Sequence, residues 1–213
     1  MEILPRLDVA RAEIDVLEHP FYVRWVAGEL SAEELRSYAV QYRHAVVALA
    51  DASARLAQEV EPRHRAALQH HAQEEASHVA LWERFARATG ADVSELDSEP
   101  TAGTGECVRE WVGGDSPLER LAVLYAIEAS QPRIAETKLE GLIARYGYSP
   151  DSPATEYFRL HGKLDVEHSA HAAALIGELS GPSGPDASSA DAMLARARGA
   201  LRGNWALLDG VSR

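Results

Sequence analysis

Apolar residues recur at intervals of three and four along most of the chain, with polar residues filling the positions between them. The clearest run follows Ser31 and consists of Leu35, Tyr38, Ala39, Tyr42, Val46 and Leu49. This spacing is that of one buried face of an α-helix. Ser31 and Glu34 form the Ser-x-x-Glu pattern of a capping box, which marks the start of that helix. Alternation typical of β-strands does not recur, so the pattern predicts an all-α protein.

The same pattern divides the chain into seven or eight helices around one core. They are expected at residues 8–18, 21–27, from 31 onwards, 62–89, 106–112, 116–147, 153–179 and 190–208. Proline and glycine mark several of the ends, as at Pro20, Gly28 and Gly90. The sequence SGPSGPDASS at 180–189 has the composition of a flexible linker. We therefore predict one helical domain at 1–180, a linker at 181–189 and a C-terminal helix within 190–213 that packs on the same domain.

Composition narrows the range of partners. Of 213 residues, 46% are apolar and 25% charged, which suits a globular protein with a real core. Lys and Arg number 21 against 33 Asp and Glu, and the resulting net charge of −12 argues against nucleic acid and anionic membranes as partners. A single cysteine, Cys107, excludes an intrachain disulfide and favours a cytoplasmic location. The sequence shows neither a run of about 18 apolar residues nor a secretory signal.

Three groups of residues could carry chemistry, and the first is HGKLDVEH. His161, Asp165 and His168 stand at positions i, i+4 and i+7, which is one face of a helix two turns long. Burying two imidazoles and a carboxylate is costly unless their charge is compensated. A divalent metal such as iron, manganese or zinc would compensate it. The alternative is a solvated face with an Asp–His ion pair.

The second group is HHAQEEASH. His78 follows Glu74 by four residues and Glu75 by three, so either carboxylate can share its face. The Glu-x-x-His spacing is the one that carboxylate-bridged di-iron proteins use on their bundle helices. His70 and His71 are expected at the surface, although either could line a pocket.

The third is Glu128, which follows an almost wholly apolar stretch and is therefore expected to be buried. Pro132, four residues later, removes the hydrogen bond that the Glu128 carbonyl would accept, so the helix should kink there. A salt bridge to Arg133 or to another helix is the alternative reading. Taken together, the three groups supply three carboxylates and three histidines from three helices, an inventory that fits two iron ions with positions left open.

Several segments also resemble a known family, the heme-oxygenase-like di-iron oxidases of the TenA/PqqC-like fold group. They are LEHPFYVRWVAGELSAEELRSYAVQY, QEEASHVALWERF, GGDSPLERLAVLYAIEASQPRIAETKLEGL and YFRLHGKLDVEHSAHAAALI, within about residues 17–179. His-x3-Asp-x2-His is the most specific of these motifs. The opening HPFYxRW pattern belongs to the whole fold group and marks the fold, not the chemistry.

The resemblance implies an enzyme that binds two Fe(II) ions, or one iron and one manganese, and uses O2 as co-substrate. Matched residue by residue, the implied metal ligands are His78, Glu128, His161, Asp165 and His168, with either Glu74 or Glu75 as the sixth. The implied reaction acts on a small-molecule substrate or on residues of the protein itself, with an external reductant.

Within this family, the chain is most similar to the oxidases that make para-aminobenzoate for folate. Tyr22, Tyr38 and Lys138 match residues implicated in that chemistry, in which an internal tyrosine supplies the ring and the lysine supplies the amine. Packing alone could explain Tyr22, and Lys138 could be a solvated helix lysine. Ile127 departs from the pattern, because those oxidases have a tyrosine beside the ligand glutamate.

Other functions stay open beside this one. A thiaminase of the TenA kind is rejected, because it needs a cysteine on the helix containing LAVLYAIE, and Cys107 lies upstream. A metal-free oxidase or cofactor-binding protein of the PqqC kind is one alternative, and a di-iron oxidase of a small amino acid or fatty acid is another. A helical interaction module without catalysis is the third, and it predicts that His161 and His168 are exposed. A homodimer is plausible for a helical domain of this size.

Overall fold

A computed structural model of the chain describes residues 2–212. In it, the segments whose apolar residues recur at helical spacing form helices. Within that range there are ten α-helices, one 3-10 helix and no β-strand. The α-helices are α1 (Ile3–Glu13), α2 (Pro20–Ala27), α3 (Ala32–Glu59), α4 (Pro62–Ala88), α5 (Val93–Leu96), α6 (Ala102–Trp111), α7 (Pro117–Glu128), α8 (Gln131–Ala144), α9 (Pro153–Ser180) and α10 (Ala187–Val211). The 3-10 helix, Val16–Glu18, lies between α1 and α2. The all-α prediction is confirmed.

The number of helices exceeds the seven or eight expected, chiefly because the segment 116–147 forms two helices and not one. Pro132 has no amide hydrogen to donate to the Glu128 carbonyl, and the predicted kink is a complete break at Ala129 and Ser130. The short α5 is the other addition. As a result of the break, Glu128 lies in the last turn of α7, with its side chain fully buried.

The expected first helix at 8–18 was placed too late in the chain. Ile3, Leu7 and Ala10 recur at helical spacing and are buried, so α1 begins at Ile3 and packs on α10. Helix α1 ends at Glu13, and the 3-10 helix follows it. The N-cap of the 3-10 helix is Asp15, whose carboxylate accepts a hydrogen bond of 3.0 Å from the Leu17 amide.

Two later helices begin earlier than expected because polar side chains cap them. Helix α6 begins at Ala102 and not at residue 106, since the Thr101 hydroxyl accepts a hydrogen bond from the Thr104 amide. Helix α10 begins at Ala187 and not at residue 190, since Asp186 accepts from the Ser189 amide at 2.8 Å. The connection between α9 and α10 is correspondingly shorter than the expected linker at 181–189.

The packing of the helices leaves one shared interior. Helix α3 lies along α4, and α9 packs against α4, α7 and α8. Helix α10 crosses α6 and α7, and α2 contacts α8. None of the helices within residues 2–212 combines the length and apolar character needed to cross a membrane. The polar side chains described next lie where α4, α7 and α9 meet.

Candidate metal centre

Helices α4 and α9 each present a row of ionisable side chains to the interior. On α4 these are His71, Glu75 and His78, whose spacing of four and three residues keeps them on one face. On α9 they are His161, Asp165 and His168, with the same spacing. All six are buried, and Glu128 joins them from the end of α7.

One group of four donors consists of His71, Glu75, Glu128 and His168, whose candidate ligand atoms all lie within 4.8 Å of one another. Nε2 of His71 is 2.9 Å from Oε1 of Glu128. Nδ1 of His168 is 3.4 Å from Oε1 of Glu75. The last turn of α7 also presents the negative end of the helix dipole near Glu128, which favours a bound cation.

A second group of three donors consists of Glu75, His78 and His161, again within 4.8 Å of one another. Nδ1 of His78 is 3.3 Å from Oε1 of Glu75, and the rings of His78 and His161 are 4.3 Å apart. Glu75 therefore belongs to both groups. One carboxylate thus supplies a candidate ligand atom to each group.

The geometry distinguishes Glu75 from Glu74, which the sequence left as alternatives. Glu75 is central and buried, whereas Glu74 is partly exposed and its Oε2 lies 3.2 Å from Nε2 of His168. Glu74 therefore contacts the outer nitrogen of His168, while Nδ1 faces Glu75. A carboxylate on the outer nitrogen is the usual way to orient a metal-binding histidine.

Asp165 adjoins the centre without belonging to either close group. Its Oδ1 lies 3.6 Å from Nδ1 of His168. His161 is oriented by its own helix, because its Nδ1 donates a hydrogen bond of 2.8 Å to the Tyr157 carbonyl. This bond leaves Nε2 of His161 as a free lone pair for a cation.

The unsatisfied atoms show that these residues fit a metal. Buried atoms without a hydrogen-bond partner are concentrated here: Nε2 of His71, both carboxylate oxygens of Glu75 and Glu128, Nδ1 of His78, Nε2 of His161, Oδ2 of Asp165 and Nδ1 of His168. The short contact between His71 and Glu128 is not aligned as a hydrogen bond. Buried polar atoms are normally paired, so such a cluster has the unpaired donors needed to hold a cation. Imidazole and carboxylate together suit iron or manganese.

The pKa values of these residues reflect how closely their charged groups are packed in the interior. Burial alone would lower the pKa of His168, but Asp165 and Glu75 outweigh it and raise it to about 11. Burial likewise opposes the rise at His71, which Glu128 and Glu75 bring to about 9. Burial raises the pKa of Asp165 to about 7. Protons therefore occupy positions that a cation would fill, and metal binding should release them.

His71 was expected at the surface, and this expectation was wrong. His71 is only 5% exposed, whereas the side chain of the neighbouring His70 is 73% exposed. The signal in the sequence was its position seven residues before His78, two turns away on the same face. The interaction-module alternative is contradicted too, because His161 and His168 are buried.

Lys138 lies in a cage of aromatic rings. The alternative that it is a solvated helix lysine is therefore wrong. It is 1% exposed, and its Nζ is 4.8 Å from the ring centroid of Tyr42, 5.1 Å from that of Tyr22 and 5.3 Å from that of Tyr38. Tyr22 and Tyr38 share a hydrogen bond of 3.0 Å between their hydroxyls. Burial lowers the pKa of Lys138 to about 7, so much of its amine is neutral near neutral pH.

Comparison with known proteins identifies the family. The profile of a family described as iron-containing redox enzymes matches residues 36–203. This chain belongs to that family. A 4-aminobenzoate synthase from Chlamydia muridarum is 34% identical over 84% of this chain and 80% of its own length. A 4-aminobenzoate synthase from Nitrosomonas europaea is 32% identical over 92% of this chain and 85% of its own length. The resemblance stated from the sequence is confirmed.

Solved structures agree on the fold of this iron-containing redox enzyme. A TenA homologue from Pseudomonas syringae superposes with a TM-score of 0.83 and covers 98% of this chain and 90% of its own. Its sequence identity is 17%, so the likeness concerns the fold alone. The predicted TenA-like, heme-oxygenase-like bundle is confirmed.

Proposed function

We propose that this iron-containing redox enzyme is an O2-dependent oxidase with two metal ions, both iron or one iron and one manganese, that makes 4-aminobenzoate. Tyr22 supplies the aromatic ring and Lys138 the amine, so the protein is consumed. The relatives named 4-aminobenzoate synthase support the product. The proposal includes an external reductant, and it extends to a homodimer in the cytoplasm.

The observation that carries the proposal is the cage around Lys138. The amine and the rings of Tyr22 and Tyr38 are all fully buried and in mutual contact. The reactants that an internal synthesis needs are therefore already held together, at a high effective concentration. An ordinary structural role would not favour a lysine here, because burying an ammonium among rings is costly unless it deprotonates.

His71, Glu75, Glu128 and His168 would hold one metal ion, and Glu75, His78 and His161 the other, with Asp165 beside His168. Redox-active metal ions held by these residues would supply electrons for the activation of dioxygen. Everything else in the reaction depends on the protein's own groups. Glu74 and the Tyr157 carbonyl fix the rings of His168 and His161, respectively.

The side chains around Lys138 keep water out and set its protonation state. Trp82 and Phe158 complete the cage at 6.0 and 5.6 Å from Nζ to the ring centroids. Desolvation lowers the pKa of the amine, so its nitrogen lone pair is available for reaction near neutral pH. The hydroxyl of Tyr22 stays protonated, because burial raises its pKa well above the usual value.

The experiment is anaerobic reconstitution with Fe(II), alone or with Mn(II), followed by O2 and mass spectrometry of the protein and of small molecules. We expect 4-aminobenzoate in solution and mass losses at Tyr22 and Lys138. Tyr22→Phe and Lys138→Arg should abolish the product, while Tyr148→Phe, outside the cage, should not. An unmodified wild-type chain that has bound its metals and consumed O2 contradicts the proposal, and favours an oxidase of an external substrate.

A further inference from the structure

The break between α7 and α8 consists of Ala129 and Ser130, which directly follow Glu128. Glu128 is a candidate metal ligand, and neither of its buried carboxylate oxygens has a hydrogen-bond partner that would orient it. The position of its side chain therefore depends on the backbone around it. At the end of a helix the last carbonyls have no partner within the helix, so another group must hold that backbone.

The side chain of Arg11, on α1, contacts both residues of the break. Its Nε donates a hydrogen bond of 3.1 Å to the Ser130 hydroxyl, and its Nη2 donates a hydrogen bond to the Ala129 carbonyl. A guanidinium near the end of a helix also interacts favourably with the negative end of the helix dipole. Arg11 thus supplies both hydrogen-bond donors and a positive charge at the point where α7 ends.

The guanidinium of Arg11 is itself held by groups on two helices. On α1, its Nη1 donates a hydrogen bond of 2.8 Å to Oδ1 of Asp8. On α7, the hydroxyl of Tyr125 donates to the same oxygen at 2.8 Å, and the Tyr125 ring centroid lies 5.7 Å from Cζ of Arg11. Because a guanidinium is planar and its donors have fixed directions, these contacts orient the donors that face the break.

We propose that Arg11 is a positioning residue that holds Glu128 in place for one of the two metal ions. The proposal rests on the two-metal centre of the proposed function, but not on its product. Glu128 belongs to the group of four donors and not to the group of three. Loss of Arg11 should therefore weaken the binding of one metal ion and leave the other unchanged, whereas a general loss of packing would weaken both.

The test is anaerobic titration of Arg11→Ala with Fe(II), with bound iron measured by elemental analysis and Arg6→Ala as the matched control. Arg6 is also on α1 and forms an ion pair with Asp191 of α10, and the side chains of Arg6 and Arg11 are 22% and 21% exposed. We expect Arg11→Ala to bind one iron ion as the wild type does and the other about tenfold more weakly. Arg6→Ala should bind both as the wild type does.

Mössbauer spectroscopy of the iron-loaded variants gives a readout that a merely structural role would not change. In Arg11→Ala, the quadrupole doublet of one iron should change and that of the other should not. Arg11→Lys keeps the charge and a donor but loses the planar fork, so it should recover part of the lost affinity. If Arg11→Ala does not fold, as judged by urea denaturation of the metal-free protein, Arg11→Lys is compared with Arg6→Ala in its place.

A double-mutant cycle tests whether Arg11 acts through Glu128. Glu128→Ala alone should weaken the binding of the same iron ion. Adding Arg11→Ala to it should cause no further loss, because the side chain that Arg11 positions is then absent.

Wild-type affinity for both iron ions in folded Arg11→Ala overturns the proposal, and so does an equal loss of affinity for both. A further loss when Arg11→Ala is added to Glu128→Ala overturns it as well. Wild-type protein that binds no iron overturns the two-metal centre, and this proposal with it. Wild-type protein that binds two iron ions but forms no 4-aminobenzoate contradicts the proposed product alone, and a selective loss in Arg11→Ala would still support the role of Arg11.

Discussion

Glu75 is the single residue on which the candidate centre depends most. Its Oε1 lies within 3.7 Å of a nitrogen on each of His71, His78 and His168. Burial opposes ionisation, yet these histidines hold the pKa of Glu75 well below its usual range. Its carboxylate is therefore charged in the protein interior, and metal ions on both sides would provide the compensation that a buried charge requires.

His71 offers a direct test at the residue scale, because His70 is its exposed neighbour and a matched control. We expect His71→Ala to weaken metal binding by about 10–100-fold, while His70→Ala leaves it unchanged. Anaerobic titration with Fe(II) followed by elemental analysis measures both. Equal metal affinity in the two variants would exclude His71 as a metal ligand. Glu128 would then remain as a candidate ligand beside Glu75.

Lys138 makes the stability of the metal-free protein depend on pH. Its pKa falls from an ordinary 10.5 to about 7 on folding, so the unfolded chain binds more protons between these values. Stability attributable to Lys138 therefore rises as the pH increases from about 7 to about 10.5. Replacing the lysine with methionine removes this dependence.

We therefore expect Lys138→Met to raise the unfolding free energy at about pH 6, by up to about 5 kcal/mol, and to raise it much less near pH 10. Urea denaturation at the two pH values measures the difference. Lys163→Met, which removes an exposed lysine from α9, is the control for the loss of a charge. A stabilisation that is the same at both pH values would contradict a buried, largely neutral amine.

At the scale of the elements, the cage depends on how closely α8 approaches α2. Gly141 of α8 has no side chain, and a Cβ there would overlap the indole ring of Trp25. That indole donates a hydrogen bond of 3.2 Å to the Lys138 carbonyl. The glycine thus permits the contact that brings Tyr22, on α2, to the lysine of α8.

Gly141→Ala should therefore separate the two helices and reduce the unfolding free energy by about 1–3 kcal/mol. Gly177→Ala, in a helix position with open space around it, should stabilise the protein by about 0.5–1 kcal/mol. Urea denaturation of both variants measures whether their unfolding free energies change in opposite directions. A Gly141→Ala protein as stable as Gly177→Ala would show that the close approach is not required.

The elements differ in how far their sequences predicted them. Helices α4 and α9 were predicted almost to the residue, because they are long, periodic and begin at the prolines at 62 and 153. For α3 the capping box at Ser31 predicted the start, and its end was not predicted. Helix α6 was expected at 106–112 but begins at Ala102, although its first turn contains Gly103 and Gly105, which disfavour a helix. The structure shows that Gly103 packs closely on the Ala206 carbonyl of α10. Tertiary contact outweighs propensity there.

At the scale of the whole molecule, the sequence predicted most of the candidate centre but not its full composition. His161, Asp165 and His168 share a helical face, and that spacing is local information. The spacing of His71 from His78 places it on the inward face of α4. Its contact with Glu128 at 2.9 Å depends in addition on where α7 packs, which the sequence of α4 alone does not encode. The burial of Lys138 is likewise set by helices distant in sequence, as are the contacts of Trp82 with the cage.

The claim that these buried side chains bind two metal ions is tested most directly by anomalous diffraction at the iron edge, from crystals loaded anaerobically with Fe(II). We predict two peaks, one among His71, Glu128 and His168 and one between His78 and His161, with Glu75 in contact with both. Well-ordered crystals of iron-treated protein that show no anomalous peak among these residues would contradict the account.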